Sequence, residues 1–176
     1  MLAPTPNQLV VKRDGFKPAG RVKIASRVTM TRRSPVNCTI NRYKGGLRYE
    51  RATISHLKST LENTGTLLVE PCFRFSNGHR SRFCFPDALL LLPALSFDLL
   101  IEIKTRHTYD AWHQLRRLYE PVVTKATGRE VKLLEIVKNY DPAIALPEEE
   151  VKVLNSLEDA IGSNAPYNIY IFTGRR

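Results

Sequence analysis

The 176 residues suit one domain large enough to bury a core, and a composition 43% hydrophobic and 25% charged is that of a globular chain. The net charge of +10 is confined to one end: residues 1–51 hold 12 Lys and Arg against Asp14 and Glu50, while the remainder balances at 15 basic and 15 acidic residues. Three cysteines without a CxxC pair exclude a zinc ribbon or disulfide framework and suit a reducing cytoplasm, no secretion signal is visible, and the apolar run 88–101, broken by Pro93 and Asp98, is too short to span a bilayer.

Residues 1–45 read as a basic N-terminal arm, punctuated by Pro4, Pro6, Gly15, Pro18, Gly20, Pro35 and Gly45-Gly46, in which "QLVVKR" and "RVKIASRVTM" have the character of short strands. Its cations include Arg21, Lys23, Arg32, Arg33, Arg42 and Lys44, with Arg48 just beyond. Such a block fits a polyanion, because each phosphate it neutralises releases a condensed counterion. DNA is the expected partner. An anionic membrane surface fits less well, since no amphipathic helix accompanies the charges.

After Gly46, "LRYERATISHLKSTLENTG" predicts a helix: Leu47, Ile54, Leu57 and Leu61 recur near helical spacing, and Asn63 to Gly65 stops it. "TLLVEPCFRF" and "RFCFPDALLLL" flank the turn-rich "SNGHRS" and predict a hairpin, whose tip carries Arg80 and Arg82. "FDLLIEIK" follows as a third strand after a turn at Pro93. "TYDAWHQLRRLYEPVVTKATG" predicts a second helix ending at Gly128 despite Pro121, with Trp112 and Tyr119 in the core, and "REVKLLEIVKN" predicts a fourth strand. The order helix, three strands, helix, strand makes an α/β domain over 46–140. An extension over 141–176 holds a predicted helix in "LPEEEVKVLNSLEDAIGS" and a last strand in "YNIYIF".

The chemistry lies around the most apolar run, "PDALLLLPALSFDLLIEIK". Strand alternation points Glu102 and Lys104 to one face and Ile101 and Ile103 to the other. If the two flanking strands pair, Asp87 lies beside Glu102 and Lys104 where the buried scaffold meets solvent. Two adjacent carboxylates repel unless a cation or proton separates them, and oxygen donors favour Mg²⁺ or Mn²⁺ over zinc. A hard ion stabilises charge on a phosphoryl oxygen, and a lysine orients the attacking water or offsets transition-state charge. His56, His79, His107 and His113 show no metal-ligand spacing, although His107, three residues past Lys104, is placed to touch a substrate.

"PD" at 86–87, fourteen residues, then "EIK" at 102–104 resembles the PD-(D/E)xK nuclease superfamily, with its restriction-endonuclease-like fold. The order of elements from about Leu47 to Asn139 is similar to that family's core. The resemblance implies a Mg²⁺-dependent DNA endonuclease, Mn²⁺ substituting, of structure-directed, homing or restriction type. Asp87 and Glu102 would hold the ion, with Glu50 of "LRYER" as a further ligand or Glu70 in its place. Lys104 would serve the attacking water, and Gln114, Arg116 and Arg117 of the second helix would approach DNA. "QLRRLY" resembles the Gln-x-x-x-Tyr helix motif of some exonuclease branches, but the spacing from Gln114 to Tyr119 is one residue longer. A cytoplasmic homodimer is expected, with a protein partner for targeting a further possibility. The alternatives are a non-catalytic nucleic-acid-binding protein on the same scaffold, a nuclease subunit of a larger recombination or transposition complex, or a basic structural protein of a larger particle.

Overall fold

A computed structural model describes residues 28–31, 44–76, 81–144 and 151–174. The strand-like "QLVVKR", the hairpin tip Asn77–Arg80 and the acidic Glu148–Glu150 lie outside the described residues. Helix α1 is Lys44–Leu61, so it begins inside the glycine-bearing end of the basic arm. Its buried stripe is Tyr49, Thr53, Leu57 and Leu61 at four-residue spacing, and the buried Thr53 hydroxyl is satisfied by donating to the Tyr49 carbonyl at 2.9 Å. The Thr64 amide closes the end on the Leu61 carbonyl at 3.0 Å. Gly65 follows where a Cβ would meet the Leu91 carbonyl oxygen at 2.1 Å, so no other residue fits without moving the strand.

The strands are β1 (Thr29–Thr31), β2 (Thr66–Val69), β3 (Cys72–Ser76), β4 (Ser81–Cys84), β5 (Ala88–Leu91), β6 (Phe97–Arg106), β7 (Glu130–Asn139), β8 (Val151–Leu154) and β9 (Tyr167–Ile171). Between β6 and β7, helix α2 runs through Tyr109–Trp112, π-helical His113–Tyr119 and Glu120–Thr127. A short α3 (Asp159–Gly162) precedes β9. Among the described residues the strands form one sheet in the order β2-β5-β6-β7-β9-β8 and a small sheet in the order β1-β3-β4. The steps β2/β5 and β5/β6 are antiparallel, while β6/β7, β7/β9 and β9/β8 are parallel. The protein is thus mixed α/β.

Two expected long strands are each divided. The hairpin of residues 66–91 keeps one register throughout, with Val69 paired to Ala88 and Phe73 to Cys84, but its two halves belong to different sheets. In that register Pro71 falls opposite Pro86. Neither proline can donate to a further neighbouring strand, and at this point the ribbon leaves the main sheet. The predicted tail helix is also corrected. Val151–Leu154 is a strand parallel to β9, where β-branched Val151 and Val153 suit the pleat better than a helical turn. The extension therefore completes the main sheet. Residues of the basic arm likewise enter the fold, since β1 pairs with β3 and Val28 is buried.

Strand β6 is buried from Phe97 to Ile103 because both its faces are covered, with Asp98 and Glu102 as charged residues inside that run. On one side Leu99, Ile101 and Ile103 pack with Leu90, Leu134, Ile136 and the α1 residues Tyr49, Leu57 and Leu61. On the other, Leu100 packs with Leu89, Leu133, Tyr167 and the α2 residues Trp112, Leu115, Tyr119 and Val122. Trp112 and Tyr119 are core residues, as their spacing suggests. Among the described residues no helix is long and apolar enough to cross a membrane.

Candidate active site

The site is assembled where the hairpin bends away. The Glu70 amide donates to the Asp87 carbonyl at 2.8 Å, the last ladder bond before the opposed prolines. Glu70 itself has φ 47°, a left-handed conformation that costs free energy in any residue with a Cβ. Across β5, Ala88 pairs with Ile101, so the same register sets Asp87 beside Glu102. Beyond that pair the Asp87 carboxylate takes the place of a strand carbonyl: its Oδ2 accepts the Ile103 N–H at 2.8 Å.

On β6 the alternation holds. Ile101 and Ile103 face α1, and Lys104 Nζ donates to Glu102 Oε1 on the other face. Their burial departs from expectation. Asp87 and Glu102 do not sit at a solvent rim but are 5% and 2% exposed, and only the Lys104 side chain, 30% exposed, reaches water. On that face the neighbouring Leu89 and Leu100 pack against α2. The negative charge of Glu102 is felt by its neighbours: the Cys84 thiol is raised well above its ordinary range by burial, by Cys72 and by Glu102.

A second carboxylate stands beside the first. Glu135 of β7 is the parallel-strand partner of Glu102, so the two side chains share a face. Glu135 is fully buried. Its Oε2 lies 2.6 Å from His107 Nδ1 and accepts the Tyr167 hydroxyl at 2.8 Å. Burial first, then the charge of Glu135, pushes the Tyr167 hydroxyl well above the ordinary tyrosine value, and Glu102 adds to the effect. His107 is not a substrate-facing residue, because its ring is buried against Glu135 and Tyr140. The sequence reading missed Glu135 and Tyr167. The available signal was a charge inside "KLLEIVKN", at a position where alternation demands the core.

The other expected residues are spread more widely. Glu50 is half-buried on α1, next to Tyr49, and Arg48 is exposed one turn-face away. Burial raises the Tyr49 hydroxyl to about 12, with Tyr170 and Glu135 as smaller contributors in the same direction. Gln114 is half-buried, Arg116 bonds Glu120 at 2.9 Å, and the Arg117 guanidinium lies 4.9 Å from the Trp112 ring centroid. Arg21, Lys23, Arg32, Arg33 and Arg42 lie outside the described residues, and of Lys44 only its place at the start of α1 is described.

The π-helical segment gives the "QLRRLY" spacing a physical reading. Hydrogen bonds there run to the fifth residue back, as the Glu120 amide does to the Leu115 carbonyl, instead of the fourth. Gln114 and Tyr119, five apart, therefore take the stacked relation that a four-residue spacing gives in an α-helix. Pro121 sits just where the π-helical segment passes into the α-helical one, inside the continuous helix.

Among the described residues, no three His, Cys, Asp or Glu side chains gather as a ready-made metal cage, Glu50 with Asp87 and Glu102 included. The oxygen-only pair Asp87 and Glu102 fits a hard cation that keeps part of its water shell, as Mg²⁺ does. Comparison of the chain with protein-family models, curated proteins and solved structures finds no match.

Proposed function

We propose that this protein is a divalent-metal-dependent DNA endonuclease of the PD-(D/E)xK type, with a restriction-endonuclease-like core formed by α1, β2, β5, β6, α2 and β7. The observation that carries the reading is the meeting of Asp87, Glu102 and Lys104 from adjacent strands on one sheet face. The element order supports it too: a helix, three antiparallel strands, a crossover helix and a parallel strand.

Asp87 and Glu102 would hold the Mg²⁺, which supplies Lewis-acid stabilisation of charge on the phosphoryl oxygen. Their burial lowers the local dielectric, which strengthens attraction for a cation and excludes competing water. Lys104, whose ammonium reaches solvent, orients the attacking water and offsets the added negative charge of the transition state. Water adds to phosphorus, the bond from phosphorus to the 3′-oxygen breaks, and that oxygen takes a proton, which leaves a 5′-phosphate and a 3′-hydroxyl. The resemblance implies a further carboxylate, Glu50, which lies on the helix that covers the opposite face of the sheet, or Glu70, tied by its amide to Asp87. The basic arm, Arg48, Gln114 and Arg116 engage the DNA backbone, and a homodimer acts on two strands.

A second reading, a non-catalytic DNA-binding platform, draws on the Lys104–Glu102 pair, which balances that carboxylate without any ion. One experiment separates the two. Wild type and Lys104→Ala are mixed with supercoiled plasmid, linear duplex and a four-way junction, in Mg²⁺ and in EDTA. Cleavage by wild type alone, and only with Mg²⁺, supports the nuclease. DNA retardation by both proteins with cleavage by neither supports the platform.

A further inference from the structure

The buried network beside the candidate site has no part in the function proposed so far, and it is costly to keep. Along β7, Leu133 and Val137 flank Glu135 on the same face and join the apolar core, yet Glu135 places a carboxylate there with no exposure. Burying such a group is unfavourable unless hydrogen bonds replace its water. Two side chains from other elements, His107 after β6 and Tyr167 of β9, supply them, and both act on the same oxygen, Oε2. The other oxygen, Oε1, and the second ring nitrogen of His107, Nε2, are buried with no hydrogen-bond partner among the described residues. Fully buried polar atoms in folded proteins nearly always have a partner, of protein, water or ion.

The register places the two glutamates together. Glu135 and Glu102 are paired across β6 and β7, so their carboxylates lie side by side on one face. His107 and Tyr167 fix Oε2, which leaves Oε1 as the acceptor that Glu135 can offer to whatever sits at Glu102. A hydrated divalent cation bound by few protein oxygens presents several polarised waters, each of which needs an acceptor.

We propose that Glu135 is a positioning residue for the cation: its Oε1 accepts a hydrogen bond from a metal-bound water at Asp87 and Glu102, and His107 and Tyr167 hold it in place for that purpose. This rests on the metal-dependent reading above. Glu135 contributes a negative charge and an acceptor without being a direct ligand, in keeping with the lack of a three-residue cage among the described residues. The network is thus the outer shell of the cation site.

The test is direct titration of Mn²⁺, followed by electron paramagnetic resonance in the absence of DNA, on wild type and Glu135→Gln. Thermal melts and the half-saturating Mg²⁺ for plasmid cleavage are recorded alongside. Glutamine keeps the shape and an oxygen for Tyr167 but loses the charge. The expected result is Mn²⁺ binding about tenfold or more weaker, a matching rise in half-saturating Mg²⁺, and near-normal cleavage at saturating metal. Equal Mn²⁺ affinity of the two proteins, whatever the melts show, overturns the role of Glu135 and leaves the nuclease reading intact. Absence of Mn²⁺ binding by wild type overturns the metal reading itself. Should Glu135→Gln fail to fold, a wild-type crystal soaked in Mn²⁺ decides: a metal-bound water on Glu135 Oε1 supports the proposal, and an Oε1 that meets no such water overturns it.

Discussion

The Ile103 amide donates to Asp87 Oδ2 at 2.8 Å, so the carboxylate proposed to hold the cation also completes the strand. Asparagine can still present an oxygen to that amide, whereas alanine leaves it buried without an acceptor. Asp87→Asn should therefore cost less than about 1 kcal/mol, and Asp87→Ala about 1–3 kcal/mol, in urea unfolding. On the nuclease reading both should lose Mg²⁺-dependent cleavage by about 10²–10³-fold, since each removes a charge that would face the cation. A fully active Asp87→Asn would remove Asp87 from the site.

Lys104 and Glu102 form an ion pair with one solvated end, so its net worth to the fold is small, under about 1 kcal/mol. The same pairing competes with a cation for Glu102. Lys104→Ala is expected to bind Mn²⁺ at least as tightly as wild type while losing about 10²–10⁴-fold in cleavage rate at saturating metal. Calorimetric Mn²⁺ binding beside single-turnover cleavage checks both halves. A weakened Mn²⁺ affinity would mean that Lys104 supports the carboxylates instead of the reacting groups.

Arg129 latches the turn between the two strands that carry the site. Its Nε bonds the buried Asp98 at 3.1 Å, and its Nη2 donates to the carbonyls of Leu92, Leu95 and Phe97 at 2.8, 2.5 and 3.2 Å. Asp98 in turn accepts the Leu92 amide at 2.9 Å. Arg129→Ala strands a buried carboxylate and should cost about 3–5 kcal/mol, with Arg129→Lys intermediate because an ammonium cannot reproduce the planar fork. Urea midpoints of the two variants give the ranking, and equal midpoints would show that the latch is dispensable.

Stability should also fall at high pH. Burial raises the Tyr49 hydroxyl to about 12 against an ordinary value of 10.0, and raises Tyr167 as well. The folded state therefore holds these protons more tightly than the unfolded chain. The contribution of Tyr49 is complete below about pH 10 and is lost as pH climbs from 10 through 12. Tyr49→Phe should flatten the decline of the urea midpoint over roughly that window, and an unchanged slope would count against it.

The elements legible in the sequence are those set by local signals. The α1 stripe, the alternation that separates Glu102 and Lys104 from Ile101 and Ile103, and the stop at Gly128 all follow from spacing and turn chemistry. What escaped was set by pairing between distant segments. "TLLVEPCFRF" carries Pro71, and "RFCFPDALLLL" carries Pro86, but only the hairpin register reveals that they are opposed and divide the ribbon between two sheets. Glu135 has no motif around it, and its meaning comes from Glu102 one strand away and Tyr167 on the next. "VKVL" reads as helical because acids and a proline precede it, while its fate as a strand depends on β9, which follows it in sequence.

The basic arm calls for a different truncation from the one its composition suggests. Cutting at residue 40 would remove β1 from the small sheet and Val28 from the core, so weakened binding could then reflect damage to the fold. Deleting residues 1–25 instead removes Lys12, Arg13, Lys17, Arg21 and Lys23, with Asp14, and leaves Val28 and β1 in place. If these cations neutralise phosphates of duplex DNA, the slope of log affinity against log salt should fall by about 0.9 for each phosphate left unneutralised, up to about four or five units. A second variant, Arg32 and Arg33 both replaced by glutamine in the full chain, should lower the slope by about two while the melting temperature holds. Fluorescence anisotropy with a short duplex from about 50 to 200 mM salt measures both. Unchanged slopes in the two variants, with folds intact, would assign the net charge of the arm to something other than DNA.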